Sequence, residues 1–239
     1  MSVRYLYAVL RAPAPGALGV GLGGEPLELA RWSNLIAVTG TLPDPPAVEV
    51  AALRAHDAVV RRLARRASAV LPARFGSVVR DEPALIEWLR RRAPGLREAL
   101  SLVDGGEQMT LRVYGSATAG VEEPAAGALE ALGPGARYLA RRLHAHQRAS
   151  TAPELAPLRR ALGRLVRAER VERHDRSPLL VSVHHLVPRG TSARYRASLA
   201  RARPQLRPLR MRASGPWPPY AFAAAAVDDQ SSMAAQDSP

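Results

Sequence analysis

The chain has 239 residues and carries 34 Lys+Arg against 21 Asp+Glu, a formal net charge of +13, with every one of those 34 cations an arginine. Cysteine and lysine are absent. That excludes a disulfide framework, a thiolate metal site, a cysteine nucleophile, a P-loop, a kinase-type ATP lysine and Schiff-base chemistry. With 47% hydrophobic and 23% charged residues the composition is globular.

The first segment, Val3–Leu10, reads as a buried strand closed by Pro13. Its apolar run is too short for a signal peptide, and no window approaches the ~18 apolar residues of a membrane span, so a cytoplasmic protein without membrane contact is expected. A Gly/Pro loop leads through Pro26 to a hairpin, Leu27–Arg31 and Asn34–Thr41, joined around Trp32-Ser33. From Val48 to Leu71 the apolar residues fall at helical spacing, with Arg54, Arg61, Arg62, Arg65 and Arg66 on an outer basic face. Pro72 ends this helix, Arg74–Arg80 resumes as a strand, and Asp81-Glu82-Pro83 opens a second helix interrupted near Pro94-Gly95. Gln108–Tyr114 alternates as a strand.

Strands and helices thus interleave in an α+β first domain, residues 1–118. Gly115–Pro134 is the candidate boundary. The second domain, 119–227, is expected to hold helices at Arg137–Arg148 and Leu155–Glu172, a strand at Ser177–Val187, a helix at Thr191–Arg203 and a strand at Leu206–Ala213. A polar tail, 228–239, is expected to be disordered.

Residues 1–118 hold 15 arginines and 11 acids, whereas 119–227 hold 19 and 7, so an acidic partner should meet the second half. Arginine without lysine fits two readings, phosphate binding and the codon bias of a GC-rich genome. Abundant Ala, Gly and Pro with a single asparagine, Asn34, fit the second. A nucleic-acid-binding module in the 119–227 half is the alternative function, but the arginine pairs lie on helical faces that solvent ordinarily takes.

Catalytic and cofactor patterns are incomplete. Gly19-Val20-Gly21-Leu22-Gly23-Gly24 matches a dinucleotide fingerprint, yet Glu25-Pro26 follows where a helix should open, so an inter-strand loop is expected. The six histidines lack metal spacing. His144 and His146 are two apart on a helix, and His184 and His185 face opposite sides of a strand. His56 beside Asp57 reads as a partly buried structural histidine. No nucleophile elbow is present. Neither enzymatic activity nor a cofactor or metal is expected.

Both phenylalanines of the chain lie in distinctive segments. In Leu71-Pro72-Ala73-Arg74-Phe75-Gly76 the proline stops a helix, Phe75 can anchor the entry of a strand and Gly76 permits an unusual backbone angle. In Gly215-Pro216-Trp217-Pro218-Pro219-Tyr220-Ala221-Phe222, closely spaced prolines should fix an extended, polyproline-like path. Its three aromatic side chains offer large apolar surfaces. This segment is either a strap across the body or a docking surface. The candidate structural or partner-docking residues are therefore Arg74, Phe75, Gly76, Trp217, Pro218, Pro219, Tyr220 and Phe222.

Together these motifs resemble the GvpL/GvpF family of gas vesicle proteins. Tyr5-Leu6-Tyr7, the His56-Asp57 pair, Leu71–Gly76, Gly135-Ala136-Arg137-Tyr138-Leu139 and the closing octapeptide match collinearly. Leu179-Leu180-Val181 stands where the family has an aromatic-Leu-Val segment, and Tyr195 replaces a usual phenylalanine. The resemblance implies two α+β domains, the first a modified ferredoxin-like sheet with helices. It implies a non-enzymatic accessory or minor structural protein of the gas vesicle and cytoplasm. Its partners would be the hydrophobic shell protein GvpA, whose nucleation and assembly it assists while preventing aggregation, and other vesicle accessory proteins. No catalytic or cofactor residue comes with the family.

Overall fold

The computed structural model describes residues 2–12, 16, 18–115, 155–174, 178–206 and 210–227. Along the chain run β1 (Val3–Leu10), β2 (Leu27–Trp32), β3 (Leu35–Leu42), α1 (Val50–Arg66), β4 (Val70–Pro72), β5 (Val78–Val79), α2 (Glu82–Val103) and β6 (Gly106–Tyr114). Then come α3 (Ala156–Leu162), β7 (Ala168–Arg173), β8 (Leu179–Pro188), α4 (Ser192–Ala202), a 3-10 turn (Arg203–Leu206), β9 (Arg210–Trp217) and α5 (Tyr220–Val227). The expected helix Arg137–Arg148, most of the Gly115–Pro134 boundary and the 228–239 tail lie outside the described residues.

Two compact units result, residues 1–108 with 216–239, and residues 109–215. The contacts thus draw the line elsewhere than the expected cut between 118 and 119. It passes inside β6 and β9, and the chain from Pro216 onward returns to the first unit. By this partition the first unit carries 14 arginines and 14 acids, the second 20 and 7, so the whole excess of +13 belongs to the second.

In the first unit the sheet order is β2-β3-β1-β4, with β5 also paired to β1. The β1–β3, β1–β4, β1–β5 and β2–β3 pairs are antiparallel. Residues Tyr5 to Leu10 are all buried, as a central strand covered on both faces requires. The register slips between Leu6 and Ala8, leaving Tyr7 as an extra residue opposite β3. This bulge breaks the alternation, so Tyr5, Tyr7, Ala8 and Leu10 all join the core cluster with Val59 and Leu63 of α1. The β2–β3 hairpin turns on Ser33, the one non-glycine described residue at positive φ, one position later than expected.

Three sequence expectations change here. The helix expected to reach Leu71 ends at Arg66, because Val70-Leu71-Pro72 pairs instead with Ala8-Val9-Leu10 as edge strand β4. Of the expected strand Arg74–Arg80 only Val78–Val79 forms, since Ser77 N donates to Arg74 O (3.2 Å) in a turn with Gly76 at φ 85. Helix α2, by contrast, runs unbroken through Pro94. Pro94 and Gly95 lie on its exposed side, while buried Leu89, Ala93, Leu96 and Leu100 hold the other against the core. Asp81 caps the helix by accepting from Ala84 N at 2.8 Å.

The second unit contains the sheet β7-β8-β6-β9. One face packs Met109, Leu111, Val113, Val181 and Val183 against Leu158, Leu162, Tyr195 and Leu199 of α3 and α4. The helix expected over Leu155–Glu172 is a correction: α3 stops at Leu162, and Ala168–Arg173 is strand β7, antiparallel to β8. Pairing of Val171 with Val183 and of Glu169 with His185 outweighs the helical propensity of Ala, Glu and Arg.

Candidate functional site

The first unit gathers its polar side chains around His56. Helix α1 places this histidine, only 3% exposed, on the face that packs against β1. Its Nε2 donates to Ala73 O (3.1 Å), which leaves Nδ1 to accept from the Tyr5 hydroxyl (2.9 Å). Gly76 N in turn donates to the Tyr5 oxygen at 3.1 Å. Burial, which favours the neutral ring, lowers the His56 pKa below the ordinary 6.5 despite the Ala73 hydrogen bond. Burial likewise pushes the Tyr5 hydroxyl up to about 12. Tyr7 stacks on His56 with ring centroids 5.6 Å apart.

Tyr7, turned by the bulge, ties down the glycine-rich loop. Its hydroxyl accepts from Leu22 N (2.8 Å) and donates to Glu25, whose other carboxylate oxygen accepts from Gly23 N at 2.9 Å. Burial, then the Glu25 hydrogen bond, raises the Tyr7 pKa. The loop closes on itself through Gly21 N to Glu25 O (2.7 Å) and a Val20–Pro26 bridge. A Cβ on Gly21 would collide with the Glu25 carboxylate and stand 2.5 Å from the Tyr7 oxygen. The glycines thus make room for a structural carboxylate, and no helix opens after them. Arg62 clamps the same loop from α1, through Nε to Leu18 O (2.8 Å) and through Nη2 to Val20 O.

Both motif segments meet this centre. Phe75 is half-buried, its ring edge-on to Tyr5 and His56 at 6.2 and 5.9 Å, while Arg74 and Gly76 are exposed beside it. Trp217 is half-buried under the Arg61 guanidinium, 4.3 Å from the ring centroid, and Arg61 is ion-paired with Asp57. Tyr220 donates its hydroxyl to Asp57 at 3.4 Å, and burial raises its pKa. Pro218, Pro219 and Phe222 are buried.

The closing segment is not the extended path expected of it: Gly215–Trp217 completes β9, and the two prolines open α5. Phe222 N and Ala223 N both donate to Pro219 O, at 3.0 and 3.1 Å. Helix α5 packs on α2 and β4, with Ala221 N donating to Gln108 Oε1 at 2.9 Å. The expectation that Arg61 and Arg62 lie on a solvated face is likewise corrected, since both guanidiniums are engaged. Glu25 and Arg62 were not legible as members of this site, because their partners come from chain segments far away in sequence.

The second unit has its own polar chain. His185 Nδ1 meets the Tyr195 hydroxyl at 2.7 Å, His185 Nε2 meets Glu169 at 3.0 Å, and Arg159 binds the same carboxylate at 2.8 Å. His185 and then Arg159 hold the Glu169 carboxyl down at about 2 against its ordinary 4.5. The hydroxyl that Tyr195 adds to a phenylalanine-like position thus has a partner. Tyr195 and His185 are 0% and 1% exposed, so the inner half of the relay is buried, while Glu169 and Arg159 reach the surface in part. His184, on the opposite face, meets Thr110 Oγ1 at 3.2 Å. Among the described residues no group of three or more candidate metal ligands converges, and no helix is long and apolar enough to cross a membrane.

What these features define is an α+β protein of two antiparallel sheets. Its fold is that of two crystal structures of gas vesicle protein GvpF, from Anabaena (TM-score 0.69, 16% identity, 93% of this chain and 96% of that one) and from Microcystis aeruginosa (TM-score 0.69, 16% identity, 92% and 98%). Gas vesicle protein L of a Streptomyces species is 33% identical over 258 residues, covering 95% of each chain. The model of the family "Gas vesicle synthesis protein GvpL/GvpF" matches residues 3–224, and the chain belongs to that family.

Proposed function

We propose that this chain binds the hydrophobic shell protein GvpA as it is made, keeps it from aggregating and assists the nucleation and assembly of gas vesicles, working in the cytoplasm and at the growing vesicle with other vesicle accessory proteins. Membership of the gas vesicle synthesis family supplies the setting. The observation that carries the reading is an exposed apolar run in the first unit: Val48, Val50 and Leu53 are 83%, 64% and 41% exposed at the start of α1. A soluble domain that leaves three large aliphatic side chains together in water suits a hydrophobic client.

One turn and more along α1 stand Asp57 and Arg61, with Trp217 stacked on Arg61. In this reading Arg74, Phe75 and Trp217 are the accessible docking residues, and Gly76 sets the backbone that presents Phe75. Pro218, Pro219, Tyr220 and Phe222 act as a strap that fixes Trp217 beneath Arg61. Co-expression with the shell protein followed by affinity capture tests the assignment. Val50→Asp with Leu53→Asp should abolish capture without lowering the melting temperature.

A further inference from the structure

We propose that the second unit carries a docking face for an acidic protein segment, formed by Arg112 of β6 with Arg210 and Arg212 of β9. The alternation of the sheet places them. Met109, Leu111 and Val113 of β6, and Met211 and Ala213 of β9, pack with the helix-covered core. The residues between them therefore project from the opposite face. β6 and β9 are neighbours in the sheet.

All three arginines are exposed, and none has an ion pair among the described residues. Like charges side by side on neighbouring strands cost stability. Several arginines elsewhere in the molecule are tied down: Arg159 by Glu169, Arg61 by Asp57, Arg4 by Glu28 and Glu82. The unit that holds the three has 20 arginines against 7 acids, and Glu172, the acid of β7 that alternation puts on this face, stands 3.7 Å from His184 and does not neutralise all three. An external anion does. On the same face Thr110 meets His184 and Ser182 meets His174, and Arg170 and Glu172 of β7 stand beyond them.

An acidic polypeptide fits this face better than nucleic acid. Binding single strands on a sheet takes exposed aromatic rings for the bases to stack on. Tyr114, half-buried at the end of β6, is the one Tyr, Trp or Phe ring that alternation puts on this face among the described residues. The proposal does not depend on shell-protein binding, which the first unit serves.

The test uses the full chain and three labelled probes of matched charge: poly-L-glutamate, a single-stranded oligonucleotide and a DNA duplex. Their anisotropy is followed at about 50 and 200 mM salt. Arg112→Gln/Arg210→Gln/Arg212→Gln should weaken poly-L-glutamate binding about tenfold and flatten its salt dependence. Arg160→Gln/Arg164→Gln/Arg194→Gln, which removes as much charge from exposed positions outside the sheet, should change it less than about twofold. Equal losses in the two triples overturn the proposal, because the attraction is then diffuse. Tighter binding of either nucleic acid, lost in the sheet triple, overturns it in favour of a nucleic-acid face, and no binding by any probe overturns it outright. If the sheet triple melts early, Arg112→Gln alone is read instead, and an unchanged affinity in that variant contradicts the assignment.

Discussion

The Arg61 guanidinium lies 4.3 Å from the centroid of the Trp217 ring while its Nε is ion-paired with Asp57. This joins helix α1 to the far end of the chain and fixes the approach of α5, whose Tyr220 reaches the same aspartate. The two segments therefore stabilise each other through one shared carboxylate.

Trp217→Ala removes the ring and leaves Arg61 without its stacking partner. We expect a loss of about 2 kcal/mol, combining lost burial with the cation–π contact, and a lower melting temperature. Trp217→Phe should restore part of it. A melting temperature unchanged in Trp217→Ala would mean the indole contributes nothing to folding and serves docking alone.

His56→Ala leaves the Tyr5 hydroxyl and the Ala73 carbonyl without their buried partner and opens a cavity beside Phe75. The expected cost is about 3 kcal/mol in chemical denaturation. Because Tyr5 also accepts from Gly76 N, amide exchange at Gly76 should accelerate in this variant. A Gly76 amide protected as in the parent would show the network to be less coupled than its geometry implies.

The acid response follows from the same histidine. His56 and His184 are both depressed below 6.5 in the folded chain, chiefly by burial, so below that value the unfolded state binds more protons. Their stabilisation is complete above pH 6.5 and drains away as pH falls through their lower folded values. Glu169, held at about 2 against 4.5, adds a second loss between those two limits, worth at most about 3 kcal/mol. Melting temperature should thus decline from neutral pH downward, and His56→Gln should flatten the first part of the decline. A profile equally steep in that variant would contradict the assignment.

Much of this was legible in the residues. Val3–Leu10, the hairpin and the alternating Gln108–Tyr114 announce themselves by burial pattern and period, and the Pro/Gly punctuation marks the two motif segments. What the residues did not disclose depends on distant partners. Ala168–Arg173 reads as helix until Val171 and Glu169 find β8, and Val70–Pro72 reads as a helix end until β1 takes it as an edge strand. Pro94 looked like a break because local propensity says nothing of the core face formed by Leu89, Leu96 and Leu100. The role of Glu25 waited on a bulge at Tyr7 that no local pattern announces.

Arg62→Ala tests the glycine-rich loop. Losing the guanidinium frees Leu18 O and Val20 O, and we expect about 1 kcal/mol of destabilisation with faster exchange at Leu22 and Gly23. Gly21→Ala should produce the same exchange signature by pushing Glu25 away from Tyr7. Slow exchange in both variants would show that Glu25 and Arg62 are not what orders the loop.

The most direct measurement of the central claim is affinity capture of the shell protein co-expressed with this chain, parent against Val50→Asp/Leu53→Asp, alongside vesicle yield in cells lacking the chain. The account predicts capture by the parent, none by the double variant at an unchanged melting temperature, and failed assembly in the deletion. Capture that survives the double variant would move the docking surface elsewhere. No capture by the parent, with normal vesicles in the deletion, would contradict the assembly role itself.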